Sequence, residues 1–297
     1  MSRRMVTVMT TCDSWQVTDE CLGHLLKNST GINQVVLLDN GSYTKCPEGL
    51  CDYSGYTHLR LEENLGSNSV FHRMLLPRFA DADVIGFIHN DVAILEQGWD
   101  QRVMEAFDTD PKLGCLGFIG SNETDWSGGR GLGTTCNWMG QYYNTGNASP
   151  AEIHGKRFSG LRPAATVDFC SMFFRQEVIS KLSAPEVPHH FYDRIWCLEL
   201  LEQGWHVATL GIASDHFGGG IGMCKVPGEQ VGVRNREDCY KKFLDAEGLP
   251  YVEGQDLNQV VYNMAERIYL NKWRDDKCFI PLKVQDDYSI QHQNLGR

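Results

Sequence analysis

The apolar positions of the first 95 residues fall into short runs that alternate with amphipathic stretches. Val6 to Thr11 is a β-branched run. After it, Val17, Cys21, Leu22, Leu25 and Leu26 recur at helical spacing. Thr18 stands where it can cap that helix, which runs through about Lys27 with Gly31 just beyond its end. Gln34 to Leu38 is a continuous apolar run closed by Asp39-Asn40-Gly41-Ser42, a strong turn signal. His58 to Leu61 is a weaker strand. Ser67 to Phe79 reads as a helix with Val70, Phe71, Met74 and Leu75 inward, and Asp83 to Ile88 as a buried strand ending at His89-Asn90-Asp91. Strands alternating with helices predict a parallel sheet covered on both faces. Ligands bind such sheets at the carboxyl ends of the strands. If the strands are neighbours, Thr11-Cys12-Asp13, Asp39 to Ser42 and His89-Asn90-Asp91 share one edge.

The pattern then changes. Gly120 to Gly160 is rich in Gly, Asn, Ser, Thr and aromatics, among them Trp126, Trp138, Tyr142 and Tyr143. A loop of this length in a compact domain is usually functional or mobile. Thr166 to Phe174 is strand-like and Gln176 to Leu182 a short helix. Tyr192 to Gln203 is a helix with Ile195, Trp196, Leu198, Leu200 and Leu201 on its apolar faces and Gly204 at its C-terminal cap. Trp205 to Leu210 is a strand that leads into Ser214-Asp215-His216 and a glycine run, and Leu257 to Trp273 is a helix. There is no internal repeat or low-complexity segment.

Composition narrows the class. With 297 residues, 42% of them hydrophobic and 22% charged, the chain has ample material for a core. Its net charge of −11 disfavours broad binding to phosphate backbones, though it leaves room for a local basic patch. No run approaches the ~20 apolar residues of a membrane span, and the first residues lack the apolar stretch of a signal peptide. The 11 cysteines include no CxxC pair. They read as thiols of a reducing compartment, so a cytoplasmic protein is expected. Cys46 and Cys51 are the one pair to check for a bridge or a metal.

Three segments could carry chemistry. Asp91, at the end of a buried strand, either caps the next turn or ligates a hard divalent cation whose shell phosphate oxygens complete. His216, beside Gly218-Gly219-Gly220, is either a solvated loop residue or a neutral imidazole ligand. Asp193 begins a helix, where the ionised carboxylate is favoured. It is either a cap or a general base facing an acceptor hydroxyl. Gly128 to Gly133 faintly resembles a dinucleotide loop but lacks the flanking strand and helix that such a loop requires.

Taken in order, these segments resemble the GT-A glycosyltransferases of the family 2-like group, over residues 5 to 220. The similarity is carried by Thr10-Thr11-Cys12-Asp13, the helix around Glu20 to Leu26, the intact Asp39-Asn40-Gly41-Ser42, and Glu63-Asn64-Leu65-Gly66. His89-Asn90-Asp91, Val167-Asp168-Phe169-Cys170 with Arg175 to Val178, Tyr192-Asp193 with Glu202 to Trp205, and Asp215-His216 follow.

The resemblance implies an α/β GT-A fold: a Rossmann-like, mostly parallel sheet flanked by helices. Residues 1–225 would form the catalytic domain and residues 226–297 a mainly helical extension that covers the site or takes part in oligomerisation. It implies transfer of a sugar from a nucleotide-sugar donor, a UDP-sugar, to an acceptor hydroxyl. Thr11, Asp13, Asp39, Asn64, Gly66, Asn90 and Asp168 would meet the donor. Asp91 and His216, with His89, would hold Mn²⁺ or Mg²⁺ on the diphosphate, and Asp193 would be the base of an inverting displacement. Asp168 and Trp138 would touch donor sugar or acceptor. Two departures bear on this assignment. His89 replaces the usual first metal-motif aspartate, and Tyr192 replaces the first of the usual acidic pair, so the base rests on Asp193 alone. A retaining enzyme, a sugar-phosphate nucleotidylyltransferase and a non-catalytic carbohydrate-binding module are the alternatives. The acceptor is a glycan, a lipid-linked sugar, a protein side chain, a small metabolite or a hydroxylated base, with nucleic acid disfavoured by the acidic balance.

Overall fold

The structure is a computed structural model that describes residues 4–49, 54–125, 134–136, 158–216, 229–273 and 282–292. Strands β1 (Met5–Thr11), β2 (Asn33–Asp39), β3 (Tyr56–Arg60) and β4 (Val84–His89) lie parallel in the order β4-β1-β2-β3. After β5 (Val92–Ile94), the chain adds β6 (Leu113–Gly117), β7 (Ile119–Ser121), β8 (Glu123–Thr124), β9 (Thr134–Cys136), β10 (Gly160–Pro163), β11 (Thr166–Val167), β12 (Ser171–Arg175) and β13 (His206–Gly211). Of these, β6, β10, β12 and β13 complete an eight-stranded sheet ordered β10-β13-β6-β12-β4-β1-β2-β3, in which β12 and β10 run against the rest, while β11, β7 and β9 form a separate small sheet. β14 (Ser214–His216) pairs with β5, and β15 (Leu282–Val284) and β16 (Ile290–His292) form a hairpin on β8.

The helices are α1 (Trp15–Lys27), α2 (Ser67–Ser69), a π-helical turn (Val70–Leu75), α3 (Leu76–Arg78), α4 (Trp99–Thr109), α5 (Gln176–Ile179), α6 (Tyr192–Glu202), α7 (Glu229–Ala246) and α8 (Leu257–Trp273). Among the described residues no helix is long and apolar enough to cross a membrane.

The continuous apolar runs have a direct physical reason. Successive strand residues point to opposite faces, and both faces of this sheet are covered. Val6, Val8, Val36, Leu38, Ile85 and Phe87 join one apolar cluster, while Met5, Met9, Val35, Leu37, Val84 and Ile88 join the other. Cys21, Leu22 and Leu25 of α1 and Trp99, Val103 and Phe107 of α4 close the second cluster. Ile195 and Trp196 of α6 close the first, together with Val261, Tyr269 and Trp273 of α8.

The mostly parallel, doubly covered sheet agrees with the expected fold class, and α8 has the expected bounds. Several local readings are corrected. α1 starts a turn early, with Ser14 as its N-terminal cap residue. Thr18 lies inside the helix, where its hydroxyl donates to Ser14 O at 2.7 Å instead of capping. The strand expected over Thr166–Phe174 is broken in two. The Asp168 carboxylate accepts the Cys170 amide at 2.8 Å, an Asx turn that interrupts the pairing between β11 and β12. α5 is a single turn ending at Ile179, short of Leu182. The helix expected from Ser67 is wound partly as a π-helix, and the side chains of Met74 and Leu75 lie outside the described residues. Cys46 is a free thiol, and Cys51 lies outside the described residues.

Gly86, in the centre of β4, faces Phe173 of β12, whose ring packs against Trp99 and Phe118. A Cβ on Gly86 would stand 2.3 Å from that ring. The variant Gly86→Ala is therefore expected to lose about 1–3 kcal/mol of stability in urea unfolding. Parent-like stability would show that the Phe173 layer yields.

Candidate active site

The register of the central strands assembles the site. Thr11 pairs with Asp39 and Thr10 with His89, so the ends of β2, β1 and β4 lie in one row. A cleft of about 370 Å³ opens there, within the range of small-molecule sites. Thr11, Asn64, Asn90, Asp91, His89, Asp168 and Asp193 line it.

At one end of the cleft three metal-competent groups converge. Asp91, 6% exposed, sits between β4 and β5. Antiparallel pairing of β14 with β5 sets His216 opposite Val92, and this brings His216 Nε2 to 3.3 Å from Asp91 Oδ1. His89 Nδ1 lies 3.9 Å from the same oxygen. One ligand atom from each residue fits within 4.8 Å of the others. Although 34% of the His89 side chain is accessible, its pKa is lowered, first by burial and then by His216, against the opposing pull of Asp91. The neutral ring keeps one nitrogen lone pair for a metal. Two imidazoles and one carboxylate, with room for further oxygens, suit a borderline ion such as Mn²⁺ better than all-oxygen Mg²⁺.

The donor-side residues divide into two groups. Thr11, Asn90, Asn64 and Asp168 face the cleft. Asn90 Nδ2 donates to Thr18 Oγ1 at 2.8 Å, and Asn64 Oδ1 accepts from Asn40 and from the Gly66 amide. Asp13, Asp39 and Gly66 stand behind the wall. Asp13 has φ of 56°, and its carboxylate accepts the Tyr43 and Thr44 amides, the Thr44 hydroxyl and Asn235 Nδ2. Asp39 is fully buried and holds the Ser42 amide on one oxygen and Arg60 on the other, each at 2.8 Å. Gly66 has φ of 76°, and a Cβ there would meet the Pro188 backbone at 2.5 Å.

Asp193 enters from the first turn of α6. The two residues ahead of its turn, His190 and Phe191, have φ of 72° and 59°. Left-handed backbone at such residues costs on the order of 1–3 kcal/mol each and persists only when over-determined by its surroundings. Here Asn68 Nδ2 donates to the carbonyls of Val187 and His190, and the Phe191 ring is buried against Tyr262 and Tyr269.

His189, His190, Arg194, Arg236 and Tyr262 also line the cleft and were not anticipated. The histidine doublet just ahead of Tyr192-Asp193 was the one available signal. Trp126, Trp138, Tyr142, Tyr143, Gly128 to Gly133 and Gly218 to Gly220 lie outside the described residues.

The His190 pKa is pushed down to about 4, by burial first and then by Arg236. Above its ordinary value of 6.5 the residue is neutral in both folded and unfolded chains. Between pH 6.5 and about 4 the unfolded chain takes up a proton that the folded chain refuses, so stability falls as the solution is acidified. His189 acts in the same direction. Asparagine tolerates left-handed backbone. His190→Asn is therefore expected to shrink the stability difference between pH 7 and pH 5 in urea unfolding, and an undiminished difference would count against the assignment.

No curated protein matches the sequence. Solved structures of similar shape include residues 1–349 of S. aureus TarS in complex with UDP-GlcNAc, at 12% identity and a TM-score of 0.48, covering 92% of this chain and 74% of that one. The mannosyltransferase PcManGT from Pyrobaculum calidifontis, in complex with GDP-Man and Mn²⁺, is 12% identical with a TM-score of 0.49, covering 93% of this chain and 89% of that one. At this distance neither brings a donor, acceptor or metal to this chain. Glycosyl transferase family 2, by contrast, matches residues 7–181. That is more than half of the sequence and includes most of β1, all of β2 and β4, and Asp91, so the chain belongs to this family and is a glycosyltransferase.

Proposed function

We propose that the protein moves a sugar from a nucleoside-diphosphate donor, a UDP-sugar, to an acceptor hydroxyl with inversion, aided by Mn²⁺ or Mg²⁺. The observation that carries this reading is the convergence of His89, Asp91 and His216 on one point beside the cleft, from two strand ends that are distant in sequence. A divalent ion held there would neutralise charge on the departing diphosphate.

The chain's own residues would do the rest. Thr11, Asn64, Asn90 and Asp168 would bind and orient the donor. Asp13 and Asp39 would act from behind, by fixing the 41–44 turn and Arg60 through the bonds described above. Asp193, on the cleft wall, would take the proton of the acceptor hydroxyl as it attacks, the role of the base in an inverting displacement. In the same reading residues 1–225 are the catalytic unit and residues 226–297 an extension that covers it.

Two measurements test this. Calorimetry should find UDP bound more tightly with Mn²⁺ than with EDTA, and Asp91→Asn should erase the difference. The loss should be at least the roughly 10–100-fold that removal of an outer-shell partner costs a metal site. Equal affinity with Mn²⁺ and EDTA in the parent would remove the metal from the mechanism. Asp193→Asn should lower turnover by roughly 10²–10⁴-fold in a UDP-release assay across acceptors, at unchanged UDP affinity. Undiminished turnover would rule out Asp193 as the base.

A further inference from the structure

The cleft has two chemical characters. Asp91 and Asp168 give the metal end its negative charge, whereas Arg194 and Arg236 also line the cavity. Two other arginines of the fold are neutralised, Arg60 by Asp39 and Arg102 by Glu96. Among the described residues no carboxylate makes an ion pair with Arg194 or Arg236. In a chain of net charge −11, two such cations in one cavity call for an account.

Arg236 is braced. Its Nε–H donates to the Tyr240 hydroxyl at 2.8 Å, with Cζ 5.8 Å from that ring's centroid. The hydroxyl donates in turn to Asn258 Oδ1 at 3.1 Å. An amide oxygen only accepts, so His190 Nε2, also 3.1 Å from Oδ1, is a donor. Every direction in this relay is fixed. Nε is used, and the two terminal amino groups of Arg236 remain for a ligand.

Two further donors wait nearby. His189 Nε2 accepts the Ser67 amide at 3.4 Å, which leaves the ring proton on Nδ1. That Nδ1 is buried without a hydrogen-bond partner among the described residues, as is Nε of Arg194. Native structures rarely strand buried donors, and those that remain ask for an explanation. All three residues line the cleft, where a group rich in acceptor oxygens would offer such donors partners.

We propose that this wall is a phosphate-binding subsite, in which Arg236 grips a phosphate oxyanion with its terminal amino groups and Arg194 and His189 Nδ1–H add donors. The planar guanidinium fork matches phosphate geometry. Arg236 belongs to α7, beyond the residues 7–181 that the family accounts for. The identity of the carrier rests on the glycosyltransferase reading, since either the donor's diphosphate or a phosphate on the acceptor supplies this chemistry.

The test is titration of the full chain, with Mn²⁺ present, by inorganic phosphate, UDP, GDP and uridine. Arg236→Gln should weaken phosphate binding on the order of 10–100-fold with little change in thermal unfolding. Arg236→Lys, which keeps the charge and loses the fork, should recover only part, and it serves if the glutamine variant does not fold. Phosphate that competes with UDP, together with a variant weakened for UDP but not for uridine, identifies the donor as carrier. Arg236-dependent phosphate binding to the UDP-saturated protein identifies the acceptor. Unchanged phosphate and UDP affinities in both variants overturn the proposal and leave the glycosyltransferase reading intact. A parent that binds phosphate through Arg236 but neither UDP nor GDP overturns the donor assignment and keeps the subsite. A parent that binds none of them overturns both.

Discussion

The parallel alignment of β2, β1 and β4 is the constraint from which the rest of the site follows. Because Thr11 is paired with Asp39 and Thr10 with His89, the three chains stop together and their next residues emerge at one edge. A slip of one residue would turn every side chain of a strand to the other face. Here both faces are apolar, so such a slip would exchange Val6 and Val8 for Met5 and Met9 without exposing anything polar. Composition of the faces alone defines the register weakly. The polar knot at the edge supplies what the faces do not: Asp39 with Ser42 and Arg60, and Asn90 with Thr11 and Thr18. The residues nearest the chemistry thus also help hold the strands in step.

This division of labour explains why some acidic residues of the edge face the cleft and others do not. Asp13 and Asp39 are saturated by backbone amides and an arginine, and their burial is tolerable because each oxygen is partnered. Asp91 has histidines as its near neighbours.

Much of the sheet could be read in the sequence because its signal is local. The β-branched run of β1, the Asp39 to Ser42 turn and the periodicity of Leu257 to Trp273 each specify an element within a few residues. α4 had a readable pattern in Trp99, Val103 and Phe107, one helical turn apart each time, but it was not assigned in advance. α7 has less to read. Its apolar stripe, Cys239, Tyr240, Phe243 and Leu244, is confined to the second half, and the first half turns the polar Asn235 inward. The metal trio was legible as single residues, and the pairing of β14 with β5 joined them. Arg236 and the histidine doublet were not legible as part of the cleft. Their place depends on how α7 and α8 dock, a long-range outcome that leaves no trace in local spacing.

The bond from Asn235 to Asp13 spans 222 positions of the polypeptide. A ribosome releases the β1 edge long before α7 exists, so the nascent edge must wait with one of its buried charges short of a partner. Loop closure over such a span is slow to form and adds to contact order. The cleft is therefore among the last parts of the molecule to mature, and a chain that ends before α7 lacks the Asn235 bond that completes its wall.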